Sequence, residues 1–433
     1  MTPQSHFTVV APVAAGREGA LSALLDTMNL TGVAGMADPA NSLVPFAEFE
    51  ALHYARFVIL DDPTLVDMKV YDLSQPVLPV YLAFFGDCDG SARAFLESLV
   101  NRAGNGLKQI FSHCADFDER TGLLGWLLAH DRRVSAAYVN WMGRTVRQIR
   151  EEDMLQKRLS AQVRSGSLAA AAGAQQQRRQ LIAFAEAERQ AGRLTLTEPE
   201  STPLIWKIKN FLHLLGVPLL GLITLPFLLP LLPLLAIQLR ILETSDPEVY
   251  PQPSVDFLAT LKRLEDHDVT NQYTALGLVK PCRFRRWLLT ATLVLVDYGA
   301  RHIFARGHLA RVQTIHFARW VFLDNKQRVM FASNYDGGHE AYMDDFINKV
   351  AWGLNLVFSN GVGWPRTDWI LRRGARIEQR FKYFQRRHQL PTQVWYKAYP
   401  GLALVDIARN QTIRAGLTGT MTDAEALAWL RLL

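Results

Sequence analysis

A histidine and an arginine three residues apart occur twice in the chain, each time within an apolar segment. LHYARFVILD contains His53 and Arg56, and IHFARWVFLD contains His316 and Arg319. The alternation of apolar residues predicts a strand in both segments, with the histidine and the arginine on opposite faces. An arginine in such a strand needs a partner, because an unpaired buried charge is costly.

The sequence leaves two interpretations of these side chains open. Arg56 or Arg319 could hold an anionic head group or polarise a peroxide in a pocket. Either arginine could instead form a structural pair with Asp61, with Asp324 or with a carboxylate of the other half. His316 is a candidate haem or metal ligand, and the alternative is a hydrogen-bonded core histidine.

Acidic residues follow another predicted strand in the second half, in the turn SNYDGG and the helix after it. Asp336, His339, Glu340 and Asp344 could together bind a hard metal ion. Alternatively, Asp336 caps the helix and the acidic residues complement its positive end.

Three cysteines are too few and too scattered for a disulfide framework or a four-thiolate zinc site.

The two histidine-arginine segments belong to an internal duplication. Six of their ten positions are identical, and a second pair of blocks, GLKQIFSH and GLNLVFSN, follows in the same order. A strand and a helix are predicted before each segment, at residues 7–14 and 18–28 and at residues 273–280 and 285–304. Each half therefore reads β-α-β-β-α-β, the order of the ferredoxin-like split βαβ motif. The predicted fold class is α+β, with two such repeats forming a barrel-like core.

Two repeats of this kind in one chain resemble the duplicated dimeric α+β-barrel architecture of the dye-decolorising peroxidase and chlorite dismutase group. The resemblance covers roughly residues 5–118 and 270–362. The turn GDCDG at residues 86–90 is similar to the G-x-x-D-G pattern of these peroxidases, whose aspartate serves on the distal side of haem. The resemblance implies a haem-peroxidase-like oxidoreductase acting on a peroxide or a lipid-like substrate. Asp89, Arg56 and Arg319 would be its catalytic residues, and His316 would bind the cofactor.

A long apolar run between the halves predicts contact with a membrane. The 29 residues from Phe211 to Leu239 carry no charge, and a run above roughly 18 apolar residues is a candidate span. The residues expected to contact lipid include the following: Phe211, Leu219, Pro226, Phe227, Pro230 and Leu235. If the halves pair, both lie on one side of the bilayer, and two full spans would need about 40 residues. A re-entrant or monotopic hairpin, bent at the prolines, satisfies both conditions.

The predicted organisation has five parts. Residues 1–120 form the first repeat, 121–202 a helical linker, 203–242 the membrane segment, 243–365 the second repeat and 366–433 a basic helical cap. Residues 366–387 alternate cations with aromatic residues, which favours a helix at a membrane surface or a solvated helix face. A linker or exposed helix is also expected at the low-complexity stretch of residues 165–180.

Composition limits the remaining possibilities. The net charge of +6 suits an anionic membrane surface as well as nucleic acid. The chain has no zinc-finger or RNP pattern, so no nucleic-acid partner is expected, and it lacks P-loop, G-x-S-x-G and C-x-x-C motifs. The expected partners are membrane lipid and a small hydrophobic substrate, with the globular part in the cytoplasm. Two alternatives to the oxidoreductase are a non-catalytic membrane-anchored binding or scaffold protein and a cofactor-independent barrel enzyme.

Overall fold

A computed structural model describes residues 1–118, 120, 122–166, 173–304, 307 and 309–433. Part of the predicted low-complexity stretch, residues 167–172, lies outside the described residues. The strands are β1 (Gln4–Pro12), β2 (Gly35–Met36), β3 (Leu52–Leu60), β4 (Tyr81–Asp89), β5 (Ala136–Val139), β6 (Thr270–Leu278), β7 (Ile315–Leu323), β8 (Arg328–Asp336), β9 (Thr367–Asp368), β10 (Arg372–Arg373) and β11 (Val394–Lys397). The helices are α1 (Glu18–Asp26), α2 (Ala92–Phe111), α3 (Leu123–His130), α4 (Val146–Arg164), α5 (Ala174–Gln190), α6 (Leu204–Leu228), α7 (Leu232–Ser245), α8 (Val255–Lys262), α9 (Arg283–Tyr298), α10 (His339–Phe358), α11 (Glu378–His388), α12 (Leu404–Ala415) and α13 (Asp423–Leu430).

Two antiparallel sheets correspond to the two predicted halves. The first has the order β1-β4-β3-β11-β2, in which only β2 runs parallel to its neighbour, and the second has the order β5-β7-β8-β6. The histidine-arginine segments are β3 and β7, as the alternation predicted. The register of each strand shifts at its histidine, between Leu52 and Tyr54 in β3 and between Ile315 and Phe317 in β7. The same irregularity of strand pairing therefore occurs at the equivalent position of both halves.

Each half donates its last strand to the sheet of the other half. β5 follows the first repeat but pairs with β7, and β11 follows the second repeat but pairs with β3. The chain crosses between the sheets just before each donated strand, because the backbone N–H of Arg132 still bonds to Thr8 of β1 and that of Leu390 to Thr274 of β6. The sequence predicted a mainly helical linker and an α-rich cap, and these two strands were not predicted. Four-residue strands carry too short a pattern to be recognised within helical surroundings.

The sheets pack against each other, and helices cover their outer faces. Val58, Phe85, Val321 and Met330 belong to the apolar cluster between the sheets. Leucines of α1 and α2 pack on the outer face of the first sheet, and leucines and aromatic residues of α9 and α10 pack on that of the second. The chain thus has a mixed α/β fold in which the two sheets bring β3 and β7 close to each other.

The apolar run is helical. Among the described residues, one helix, Leu204–Ser245, is long and apolar enough to cross a membrane, and no residue of its most apolar window is buried. It consists of α6 and α7 joined by a 3-10 turn, Leu229–Leu231. The six predicted lipid contacts are all exposed: Phe211, Leu219, Pro226, Phe227, Pro230 and Leu235.

The basic stretch is folded onto the body over much of its length. Helix is confined to α11, and the strands β9 and β10 precede it, so the prediction of one helix from 366 was wrong. Arg386 forms a buried ion pair with Glu265, and Arg387 pairs with Asp67. Arg386 thus joins two parts of the second half, whereas Arg387 joins the second half to the first, because Asp67 lies between β3 and β4.

Candidate functional site

Arg56 reaches from β3 across to the opposite sheet. Its guanidinium donates to the carbonyl oxygens of Tyr273 and Ser333, each at 3.0 Å, and to Oγ1 of Thr274 at 3.0 Å. It also donates to the amide oxygen of Asn334. All of these oxygens belong to neutral groups of β6 and β8. The sequence led us to expect a carboxylate partner, but Arg56 is hydrogen-bonded by these neutral acceptors instead.

Arg319 makes the same crossing in the opposite direction. It donates to the carbonyl oxygens of Phe7 and Gly86, at 2.9 and 3.1 Å, and to Oγ1 of Thr8 at 3.3 Å. Its remaining partner is the carboxylate of Asp87. This ion pair confirms the prediction that a carboxylate of the other half could serve an arginine.

The two arginines occupy equivalent positions of a pseudo-twofold arrangement. Both guanidiniums lie 5.2 Å from the centre of the Phe85 ring. Asp87 and Asn334 are equivalent positions of β4 and β8, so the buried cluster holds two cations and a single carboxylate. Burial, followed by the charge of Arg319, lowers the pKa of Arg56 to about 9, which leaves the guanidinium protonated at neutral pH.

The Asp87 carboxylate stays ionised because of its neighbours. Burial alone would raise its pKa, but Arg319 and then a hydrogen bond from His6 outweigh burial, and the pKa is lowered. The free space beside the two arginines is about 10 Å³, which is room for roughly one water molecule. Neither Arg56 nor Arg319 therefore has room to hold a head group or a peroxide in this conformation.

The repeated histidines are tied to the repeated aspartates. Nε2 of His53 lies 3.0 Å from Asp89, and its Nδ1 lies 3.2 Å from the Tyr399 hydroxyl. The other oxygen of Asp89 accepts a hydrogen bond from the backbone N–H of Val146 at 2.9 Å, at the first residue of α4. Asp89 thus anchors a helix N-terminus, where a negative charge is favourable.

His316 has the equivalent environment. Its Nε2 lies 2.6 Å from Asp336, and its Nδ1 lies 3.0 Å from the Tyr54 hydroxyl. Asp336 also accepts from the N–H of Leu404, at the start of α12. Burial would raise the pKa of Asp336, but His316 outweighs it and the pKa is lowered. The predicted capping role of Asp336 is thus found at α12, and not at the helix that directly follows it.

These contacts decide which predicted sites the chain can assemble. Both ring nitrogens of His316 are engaged and the ring is buried, so it has no free nitrogen for a metal. A cavity of about 10 Å³ at the arginines is far too small for haem, so Arg56, Arg319 and His316 do not fit that cofactor as they are arranged here. Among the described residues, no group of three or more histidines, cysteines or carboxylates could hold a metal ion. Glu340 instead forms ion pairs with Lys382 and Arg386.

A larger space lies elsewhere, at the point where α6 leaves the body. This cavity has a volume of about 600 Å³, and Arg132, Arg133 and Arg301 line it together with Trp206 of α6. No sequence pattern identified these arginines as candidates. The only available signal was an arginine pair after an apolar helix, which is too common to indicate a site.

Comparison of the chain with models of known protein families, with curated proteins and with solved structures gave no match. The resemblance to dye-decolorising peroxidases therefore stays a prediction.

Proposed function

We propose that the chain is a membrane-associated binding protein, in which two ferredoxin-like repeats form a barrel-like body and the α6–α7 segment enters one leaflet of a bilayer. The observation that carries this proposal is a long apolar helix of which no residue in the most apolar window is buried. Burying one leucine or phenylalanine side chain contributes about 1.5–3 kcal/mol. An exposed run of such residues is costly in water and favourable in lipid.

The exchange of strands supports insertion from one side. β5 is hydrogen-bonded within the second sheet and β11 within the first, so both repeats must lie on the same side of a membrane. The apolar run of 29 residues is too short for two full spans, which need about 40 residues. The segment would therefore return to the side from which it entered.

Contacts at the two ends of the segment support a bend. His213 bonds to His302, just after α9, and Asp246 bonds to Arg285 near the start of α9. A straight helix from 213 to 246 would be roughly 50 Å long, whereas residues 285 and 302 are roughly 26 Å apart along their helix. Prolines at 218, 226, 230 and 233 provide positions at which the segment can bend away from the body.

Exposed apolar side chains of the body extend the proposed membrane surface. Trp287 and Leu295 of α9 are 71% and 62% exposed, and Ile303 is 62% exposed. Trp369, beside the foot of α7, is 51% exposed. Tryptophans are typical of the level at which lipid head groups meet acyl chains, so these residues fit a body that rests on the bilayer surface.

The oxidoreductase hypothesis has less support than a binding role. Asp89, Arg56, Arg319 and His316 have their polar atoms engaged in contacts that hold β3, β7, α4 and α12 in place. These contacts join the two halves, and they leave no space for a substrate. An absorption spectrum of protein expressed with haem precursor checks the point, and a stoichiometric Soret band would restore the peroxidase hypothesis.

Vesicle flotation tests the membrane proposal. The full chain should float with phosphatidylcholine vesicles, and L222D/F227D should lower the partition coefficient by at least about 100-fold, because an aspartate in the apolar core costs about 2.5–3.5 kcal/mol. V255D/V405D is the matched control, since both valines are exposed but lie outside the segment. Equal flotation of the two double variants would overturn the proposal.

Trypsin added outside sealed vesicles tests the same-side topology. Lys209 and Arg240 flank the apolar run, and both should be cleaved if the segment returns to its side of entry. Protection of one site, with cleavage of the other, would show a full span.

A further inference from the structure

The large cavity at the foot of α6 is rich in cations. Arg132, Arg133 and Arg301 line it, and Asp131 is the carboxylate among its lining residues. Asp131 accepts a hydrogen bond from the backbone N–H of Thr8 at 2.7 Å. Neither Arg132 nor Arg133 forms an ion pair with any residue that the structure describes. Arg301 lies 3.7 Å from Asp297, so the cavity's positive charge without an ion-pair partner among the described residues is that of the exposed Arg132 and Arg133.

The fold does not require these cations. Arg132 crosses between the sheets by bonding to Thr8, and its equivalent in the other half is Leu390, which bonds to Thr274 in the same way. The residue after Leu390 is Pro391, where the first half has Arg133. Since the same crossing forms with a leucine and a proline, the arginine pair serves something other than the crossing itself.

The position of the cavity indicates the role of the arginine pair. Trp206 and Asn210 of α6 line it, and the apolar run begins at the next residue, Phe211. If the run lies in acyl chains, the cavity opens at the level of the lipid head groups, where tryptophan is also favoured. Its volume of about 600 Å³ is within the usual range for small-molecule sites.

We propose that this cavity binds the phosphate head group of an anionic lipid, with the acyl chains of that lipid lying against α6. The inference rests on the proposed membrane association. Guanidinium groups bind phosphate oxygens through two parallel hydrogen bonds, and the arginines of the cavity provide such groups. His6 also lines the cavity. Its bond to Asp87 connects the cavity to the buried arginine cluster.

The test compares vesicles of phosphatidylcholine alone with vesicles that also contain phosphatidic acid. The full chain should bind the second kind more tightly, and R132Q/R133Q should lose more than about 30-fold of its affinity for it. General attraction to an anionic surface accounts for about fivefold per arginine, and the loss of paired hydrogen bonds to the phosphate adds to it. Affinity for phosphatidylcholine alone should not change. R372Q/R373Q is the control that removes the same charge elsewhere, because both arginines are exposed near the opposite foot of the segment, with Arg373 lying 3.9 Å from Asp368.

The outcomes separate this inference from the membrane proposal. Flotation with both kinds of vesicle without any preference for phosphatidic acid would leave the membrane proposal standing and overturn the lipid site. Equal losses in the two double variants would assign the effect to general surface charge. Calorimetric titration with glycerol 3-phosphate distinguishes the remaining source. Saturation that R132Q/R133Q abolishes would assign the cavity to soluble phosphate esters instead of lipid.

Discussion

Replacing Asp87 by asparagine should strongly destabilise the protein, whereas the equivalent replacement of Asn334 by aspartate should not. Asp87 is the carboxylate in direct contact with the buried arginine cluster: it pairs with Arg319, and its charge also acts on Arg56. Removing one partner of a buried ion pair costs about 3–5 kcal/mol, because the other charge is left uncompensated. In N334D, attraction to Arg56 of roughly 4 kcal/mol opposes the desolvation of a new carboxylate, which costs several kcal/mol. The change in stability should stay within about 1 kcal/mol of zero.

The double variant D87N/N334D makes this prediction sharper, because it moves the carboxylate to the twofold-related position. Arg319 would then have neutral oxygen partners, as Arg56 has now, and Arg56 would gain the carboxylate. We expect the double variant to recover all but about 1 kcal/mol, the remainder being the bond from His6 to Asp87. Urea unfolding in detergent, followed by tryptophan fluorescence, measures the free energy of unfolding. A loss below about 1 kcal/mol in D87N would refute the reasoning, as would a double variant no more stable than D87N.

The same pair predicts a pH dependence. The folded pKa of Asp87 lies below its ordinary value, because Arg319 and His6 outweigh the effect of burial. Its contribution to stability is therefore complete above the unfolded pKa, near 3.9, and is lost as the pH falls through the lower folded pKa. D87N should lose less stability than the wild type when the pH falls below about 4. Parallel acid-unfolding curves would contradict this assignment.

Three further changes test other contacts. Burial lowers the pKa of His388 to about 4, so the stability of the folded protein should fall as the pH drops from about 6.5 towards 4. In H388Q the urea unfolding midpoint should change less with pH over that range. G106A should lower the free energy of unfolding by at least about 2 kcal/mol, because its Cβ would lie 2.0 Å from the Leu43 carbonyl oxygen. G104A in the same helix should raise it by about 0.5–1 kcal/mol. Thermal melts compare the two variants. D336A should lower hydrogen-exchange protection at the start of α12, since Asp336 accepts from its first N–H, and unchanged protection there would argue against the anchoring role.

Much of the fold could be predicted because the duplication and the alternation carry it. β3 and β7 were located from ten residues each, and the buried arginines indicated that each strand faces something polar. The identity of that polar surface could not be read from the sequence. A guanidinium has five donors, and strand carbonyl oxygens such as those of Tyr273 and Ser333 satisfy it as well as side chains do. Backbone acceptors leave no signature in residue types.

The candidate site was harder to predict, because the same residues can serve stability or chemistry. His316 and Asp336 have the composition of a catalytic or ligand pair. Only the Tyr54 hydroxyl and the N–H of Leu404 show that their remaining polar atoms are engaged. The arginines that line the cavity at α6 could not be predicted for a different reason, which is that they are far apart in the sequence. They come from the crossing before β5 and from residues just after α9, which no local pattern relates.

The exchange of strands also explains why an apolar insertion can be accommodated at this place in the chain. The insertion follows β5 and precedes β6, so it lies after the first half has donated its last strand and before the second half begins. Under the proposed membrane association, lipid insertion at this point would bend only the connection between the halves and would change no ladder of either sheet. Because β5 and β11 hold each half to the other, a load on α6 or α7 is shared by both sheets. Under the proposed membrane association, a body built in this way could be held at the bilayer by a single segment while both halves stay joined.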